Sequence, residues 1–193
     1  LIEIDGGSIR NAIPREAVAI IAVSKMDSDS LIHAFSQIGS TIKKEFSAIE
    51  KDLIFELNDS ESKGSAASDE DTLKIINSIY TVHSGVFRMS PDIEGLVETS
   101  SSLARVIMKD GNYVTQSLQR SSVESTKDDV ANSIRASFES VGCAVVQNGD
   151  YPGWQPNSDS EILRLMAKLY KERFNENPKI KACHAGLECG ILM

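Results

Sequence analysis

The stretch from Gly95 to Ser122 constrains the fold of this chain more than any other. Strand-favouring residues fill both halves of the stretch, and the pair Asp110-Gly111 lies between them. A tight hairpin turn needs positive φ angles, which glycine adopts at little cost, so the stretch is predicted to form a long β-hairpin. Because a two-stranded ribbon is marginally stable alone, we expect helices to cover one of its faces.

Amphipathic helical patterns lie on both sides of the hairpin. Apolar residues recur at three- and four-residue steps from Ser30 to about Lys51, where Asp27 or Ser28 can cap the helix. A second helix, ended by Gly142, shows the same period. Its apolar face consists of Val130, Ile134, Phe138 and Val141.

A shorter helix is predicted just before the hairpin, after a polar, Ser-rich loop at 58–71. Ser68 and Asp71 are spaced like a capping pair. The spacing of Leu73, Ile76 and Tyr80 marks this helix.

Short apolar or alternating runs predict the remaining strands. Two such runs lie within residues 1–24, and two more cover Leu53 to Leu57 and Cys143 to Gln147. The order strand, strand, helix, strand then occurs in 1–57 and again in 95–147. The predicted class is α+β, a two-layer antiparallel sheet with helices on one face, and two similar halves are a hypothesis.

A domain boundary is predicted at 148–159, where two prolines and two glycines punctuate the chain. We expect Trp154 to anchor this linker. Ser158 and Glu161 resemble a capping box for a helix to about Arg173, and a strand is predicted from Ile180 to His184. The predicted domains are therefore 1–147 and 148–193, the second a short αβ piece of an α/β domain.

Charge and cysteine content exclude several functional classes. The net charge is −8, which argues against non-specific binding to nucleic acid or to an anionic membrane. No apolar run approaches the length of a membrane span. The three cysteines are too few for a disulfide framework and fit a reducing, cytoplasmic compartment.

Three candidate sites each have a structural alternative. Arg120 closes a strand that otherwise reads as core, and its guanidinium either reaches water or serves a site. Glu188, between Gly186 and Gly190, is either an exposed acid or a ligand group at a strand's carboxyl end. Cys183, His184, Glu188 and Cys189 suggest zinc, but adjacent strand residues point to opposite faces, and the spacing of a zinc motif is missing.

Four motifs, in order, give the chain a family resemblance: GGSIRNAIPREA, GLVETSS, YPGWQP and HAGLECG. Together they resemble the aminoacyl-histidine dipeptidases, also called cytosolic non-specific dipeptidases, which are di-zinc exopeptidases with a catalytic α/β domain and an inserted lid. The resemblance implies that residues 1 to about 147 form most of the lid. Residues 148–193 would then return into the catalytic domain.

The resemblance also implies roles for single residues. Arg120 matches a lid arginine that holds the substrate's terminal carboxylate, to which a guanidinium fork is suited. Asn11 matches a lid amide that contacts the substrate backbone, and Glu188 lies in a substrate-contacting turn where it could pair with the dipeptide's ammonium. The two zinc ions would be held by ligands outside this chain, which would itself carry no catalytic residue and bind no metal. In the intact enzyme, zinc would activate a water for hydrolysis.

Both chain ends stop on apolar runs, so the sequence is interpreted as a fragment of a longer dipeptidase, inactive alone. The expected partner is a dipeptide, with no nucleic acid or membrane, and a homodimer stays open. The alternative is an independent α+β module for binding or dimerisation.

Overall fold

The computed structural model describes residues 1–61 and 64–184. Within these ranges every strand pairing is antiparallel, and the helices confirm the predicted α+β class. The elements in chain order are β1 (Glu3–Gly6), β2 (Ala17–Ile20), α1 (Ser28–Glu45), α2 (Asp69–Thr81), β3 (Gly85–Met89), β4 (Val97–Lys109), β5 (Asn112–Ser121), α3 (Glu124–Glu139) and α4 (Glu161–Phe174).

The predicted hairpin is formed by β4 and β5. Their pairing runs from Thr99 opposite Ser121 to Lys109 opposite Asn112. Asp110 and Gly111 form the turn with φ angles of 50° and 75°. Positive φ at both central residues matches the right-handed twist of the two strands, which explains why Asp-Gly suits this position.

Strand β4 is the centre of the sheet. β5 pairs along one edge of β4, while β3 and β1 pair with successive parts of the other edge, and β2 extends the sheet beyond β1. A bulge at Ala104 separates these two parts of β4, and Gly7 lies against it. A side chain at Gly7, whose φ is +71°, would overlap the Ala104 carbonyl oxygen. The strands that form within 1–57 and those that form within 95–147 thus belong to one sheet.

The main core lies between the hairpin and α3. Val82 joins the predicted face of α3 in a buried cluster, and Leu103 and Tyr113 pack against it from β4 and β5. The Tyr113 hydroxyl lies 2.8 Å from the buried Ser78 hydroxyl of α2. Burial raises the pKa of Tyr113, an effect that the Ser78 bond partly offsets. This bond ties α2 to the same face of the sheet as α3.

The predicted helix and its predicted cap are confirmed in α2, although the apolar residues that mark the helix are not its buried ones. The Ser68 hydroxyl accepts a 3.0 Å hydrogen bond from the Asp71 amide. The buried residues of α2 are Ile75 and Ser78, whereas Leu73, Ile76 and Tyr80 are exposed. Periodicity identified the helix correctly, but it could not tell which of two apolar stripes meets the sheet.

Three predicted strands are wrong in the part of the chain that the structure describes. Residues 53–57, 143–147 and 180–184 pair with no strand there. Phe55 instead stacks on Phe35 with ring centroids 4.3 Å apart, and it covers Gly39 of α1. Cys143 and Val145 pack against the main core. Their alternating pattern therefore reflects contact with helices rather than pairing in a sheet.

Helix ends differ from their predicted positions. α1 ends at Glu45 rather than near Lys51, and Asp27 precedes it without a capping side-chain bond. The residue before α4 is Ser160 rather than Ser158, again without such a bond. Within the described ranges, the helices are too short or too polar to cross a bilayer.

Candidate functional site

A groove of about 620 Å³ runs beside β5, between that strand, α3 and the irregular segment that follows α3. Residues 143–154 form one wall, and Cys183 and His184 also line the groove. Trp154 belongs to this wall, where it stays 42% exposed, so it anchors the linker only in part. The groove is the place where the predicted Arg120 and the return segment meet.

Arg120 lies at the end of β5, directly opposite Ser100 of β4. Directly opposite residues of an antiparallel pair project from the same face of the sheet. Arg120 is half-buried and lines the groove, and among the described residues its guanidinium forms no hydrogen bond or ion pair. A cation in this position is available for an anionic ligand.

His184 reaches the same face from the far end of the chain. Its Nε2 atom lies 2.7 Å from the Ser100 hydroxyl. Burial lowers the pKa of His184, and the positive charge of Arg120 lowers it further. The imidazole is therefore held neutral near pH 7 beside a permanent cation.

Sequence reasoning missed His184 because it assumed a strand at 180–184. Since the segment is not a strand, the rule of alternating faces does not apply, and Cys183 and His184 both line the groove. The signal that could have found His184 was its place at the start of HAGLECG, the motif that also carries Glu188.

A second cluster, which we term the Lys127 clamp, holds the linker against α3. Lys127 keeps only 10% of its side chain exposed, and its Nζ atom lies 2.7 Å from carboxylate oxygens of both Glu124 and Asp150. It also donates to the Tyr151 carbonyl at 2.7 Å. Glu124 in turn accepts a short hydrogen bond from the Gly153 amide. The clamp thus consists of Glu124, Lys127, Asp150, Tyr151 and Gly153.

The pKa directions in the clamp favour its charged form. Burial by itself would lower the pKa of Lys127, but the bonds from Asp150 and Glu124 outweigh burial and raise it. The Gly153 amide and then Lys127 lower the pKa of Glu124. Gly153 also fits tightly, because a Cβ there would lie 2.5 Å from the Ser121 carbonyl oxygen. The clamp fixes the linker at the end of β5, next to Arg120.

The other two predicted site residues are not brought into the groove by the described structure. Asn11 is exposed in the turn after β1, and its neighbour Arg10 lines the groove instead, donating to the Asn148 side chain at 3.1 Å. Glu188 lies outside the described residues. Their predicted roles stay predictions.

No group of three or more His, Cys, Asp or Glu side chains that could hold a metal occurs among residues 1–61 and 64–184. The alternative zinc set included Glu188 and Cys189, which lie outside these ranges. Cys183 is an exposed free thiol.

Comparison with known proteins gives the chain its relatives. No protein-family model matches it. The cytosol non-specific dipeptidase of Escherichia coli strain K12 is 36% identical over 194 residues, which cover 99% of this chain and 39% of that protein. The crystal structure of aminoacylhistidine dipeptidase from Vibrio alginolyticus matches with a TM-score of 0.94 at 32% identity, again over 99% of this chain and 39% of that one.

This chain resembles part of the aminoacylhistidine dipeptidases. The resemblance predicted from the four motifs is confirmed, and it extends over nearly every residue of the chain. The chain spans about two fifths of the length of these dipeptidases. The sheet, the hairpin and the groove-lining segments therefore share the arrangement of one stretch of aminoacylhistidine dipeptidase.

Proposed function

We propose that this chain is part of a cytoplasmic dipeptidase that hydrolyses Xaa-His and other unblocked dipeptides. In this proposal residues 1–147 form most of the lid, and residues 148–193 return to the catalytic domain. Two dipeptidases that each match 99% of the chain support the reaction class. An independent binding module would not account for a likeness that runs through both proposed domains.

The observation that carries the proposal is the guanidinium of Arg120, which has no hydrogen-bond or ion-pair partner among residues 1–61 and 64–184. A half-buried cation loses hydration, and an anionic ligand that forms charge-assisted bonds offsets this loss. β5 and His184 both line the groove beside Arg120, so a ligand bound in the groove can lie close to the guanidinium. The C-terminal carboxylate of a dipeptide has the charge, planarity and position that this geometry requires.

Asn11 and Glu188 keep supporting roles in the proposal. The Asn11 amide is exposed next to the groove-lining Arg10, and movement of the lid over the substrate would bring it to the peptide backbone. Glu188 would pair with the substrate's ammonium. Both roles come from the resemblance, and a substrate bound to the whole enzyme would test them.

The zinc ions implied by the resemblance do not fit the described residues, which contain no suitable ligand group. We assign the ligands of both ions to parts of the protein outside this chain. The residues of this chain therefore act on the substrate itself: they bind its carboxylate, orient its backbone and exclude water from the groove.

Replacement of Arg120 by alanine tests the proposal in the full-length enzyme. Loss of a charge-assisted fork to the substrate carboxylate removes roughly 2–4 kcal/mol of transition-state binding, so kcat/KM should fall about thirty- to a thousandfold. Arg120→Lys should restore only part of this loss, because an ammonium keeps the charge but not the two-pronged geometry. A dipeptide amide should be a poor substrate for the wild type and lose little more in the variant.

Arg135→Ala is the matched control. Arg135 lines the same groove, but its guanidinium is already bonded to Gln147 at 2.5 Å. Arg135→Ala should therefore change the turnover of the dipeptide and of the amide by the same factor. If Arg120→Ala also reduces turnover of the free dipeptide and of the amide equally, then Arg120 does not anchor a carboxylate and the proposal fails.

A further inference from the structure

Three side chains from distant parts of the chain meet on one face of the sheet beside the groove. Ser100 and Arg120 are cross-strand partners, and His184 reaches them across 84 residues of sequence through its 2.7 Å contact with the Ser100 hydroxyl. Of these three residues, the proposed function uses only Arg120. It leaves a half-buried imidazole next to the anchor without a role.

We propose that His184, held in place by Ser100, is the second arm of the carboxylate site at Arg120, and that binding of a carboxylate there is coupled to the uptake of one proton by His184. This inference rests on the proposed role of Arg120. It adds a binding residue and a pH dependence that Arg120, which is always charged, cannot supply.

The charges around His184 support this coupling. In the free protein the imidazole is kept neutral by burial and by the charge of Arg120. A carboxylate bound to the guanidinium would cancel much of that charge and place a negative group beside the ring. Both changes favour the imidazolium, so ligand binding and protonation strengthen each other.

The hydrogen bonds of the ring allow both protonation states. A hydroxyl can donate to a neutral ring nitrogen or accept from a protonated one, so Ser100 can keep its bond to Nε2 in either state. Among the described residues, the Nδ1 atom has no hydrogen-bond partner and is left to donate to the ligand.

The other ionisable groups near the site do not provide the same coupling. Glu98, two positions before Ser100 on β4, is buried and paired with Arg88 at 3.4 Å. Of the charged groups that line the groove, Lys127 and Asp150 pair with each other, and Arg10 and Arg135 bond to neutral amides. Asp128 and Cys183 also line the groove. Arg120 is the charged residue that lowers the pKa of His184.

The test measures binding of 4-methylpentanoate and of its amide to the full-length protein between pH 7.5 and 5.5. The acid carries the carboxylate without a hydrolysable bond, and the amide has the same shape without the charge. We expect the Kd of the acid to fall about three- to tenfold over this range, since one coupled proton gives at most about a tenfold change per pH unit. The amide should bind weakly, with no such trend.

Variants separate this inference from the proposed function. His184→Gln should abolish the pH trend while leaving binding at pH 7.5 within about threefold. Ser100→Ala, which keeps the imidazole, should weaken the trend. His83→Gln, an exposed histidine outside the groove, is the control and should change nothing.

Magnetic resonance of the three histidine rings gives a second measurement that does not depend on activity. The pKa of His184 should rise when 4-methylpentanoate binds, and the signals of the exposed His33 and His83 serve as internal references. Suppose that Arg120→Ala abolishes binding of the acid, but that the pKa of His184 in the wild-type protein does not change when the acid binds. The inference is then overturned and the proposed function stands. If Arg120→Ala leaves binding intact, both are overturned.

Discussion

Lys127 shows how a single buried charge can organise the wall of a groove. Its ammonium is nearly enclosed, and it is stabilised by two carboxylates and a carbonyl, each at 2.7 Å. Removing some of the close oxygen partners of a buried charge costs free energy, because the charge is then left without full compensation. The linker, which supplies two of these partners, is therefore held against α3. The Lys127 clamp thereby fixes the linker at the end of β5, next to Arg120.

Release of the clamp by acid is the first prediction. Because the pKa of Glu124 is lowered, its contribution to stability is present above the usual value of 4.5 and is lost as the pH falls through the lower, folded value. Trp154, the single tryptophan, directly follows Gly153 and reports on the linker. Its emission should shift to longer wavelength as the pH falls below 4.5, before global unfolding is seen by circular dichroism.

Glu124→Gln should reproduce this release at neutral pH. The amide still accepts a bond from Gly153 but loses the ion pair, which costs about 1 kcal/mol for a half-exposed carboxylate, or about 2–4 °C in Tm. Glu139→Gln, an exposed residue at the end of the same helix, is the control. An acid-induced emission shift that persists unchanged in Glu124→Gln would assign the effect to another group.

Arg120 could be predicted from the sequence and His184 could not. Arg120 was conspicuous because it is a charged residue at the end of an otherwise uncharged strand. His184 depended on the path of 180–184, and the alternating pattern of that segment indicated a strand that the structure lacks. The clamp was also missed, since a lysine between acids in a helix normally indicates a solvated face.

At the scale of elements, prediction succeeded where the signal was local. The hairpin needed only its two strand-forming runs and Asp110-Gly111, and the period of α3 matches its buried face. It failed for 53–57 and 143–147, where strands were predicted and do not form, and for β3, which forms although no strand was predicted there. The reason is that strand formation depends on whether an open sheet edge is within reach. Residues 143–147 alternate because they pack on α3 and the hairpin, a long-range fact that no local pattern contains.

Helix α1 offers a prediction that rests on such a long-range contact. Gly39 lies inside the helix, where alanine would normally stabilise by about 1 kcal/mol. A Cβ at Gly39 would, however, overlap the ring of Phe55, and such overpacking typically costs about 1–3 kcal/mol. Gly39→Ala should therefore leave the Tm unchanged or lower it by a few degrees.

Two variants check the reason for this result. Ser40→Ala, exposed on the same helix, should raise the Tm slightly. Gly39→Ala combined with Phe55→Ala should remove the clash, so the alanine at 39 becomes stabilising in that background. A stabilising Gly39→Ala in the wild-type background would mean that Phe55 does not pack on α1.

At the scale of the whole molecule, this chain should be catalytically incomplete by itself. The described residues offer a groove and a cation but no metal-holding group. Because the proposed function places the zinc ligands outside this chain, we expect the purified 193-residue chain to hydrolyse no dipeptide, with or without added zinc. Turnover above a metal blank would show that the chain holds its own catalytic centre.

Helix α4 carries the last prediction, because it has an apolar face but no buried residue. Five of its large apolar side chains are about half exposed or more: Ile162, Leu165, Met166, Leu169 and Phe174. Contiguous exposed apolar surface of this kind marks an interface. Under the proposed function, the partner of this surface is the catalytic domain of the full-length dipeptidase. The matched stretch is only 39% of the length of the two related dipeptidases, which leaves room for such a domain.

Leu165→Ala should thus destabilise the full-length enzyme far more than the 193-residue chain. In the full-length enzyme the leucine would be buried, and its truncation should cost about 2–5 kcal/mol. In the 193-residue chain it is 51% exposed, and a surface substitution should change the free energy of unfolding by no more than about 0.5 kcal/mol. Lys171→Ala, on the same helix, should have a small effect in both. Equal effects of Leu165→Ala in the two proteins, measured by denaturant unfolding, would mean that α4 faces solvent in the enzyme and that residues 148–193 do not return to a catalytic domain.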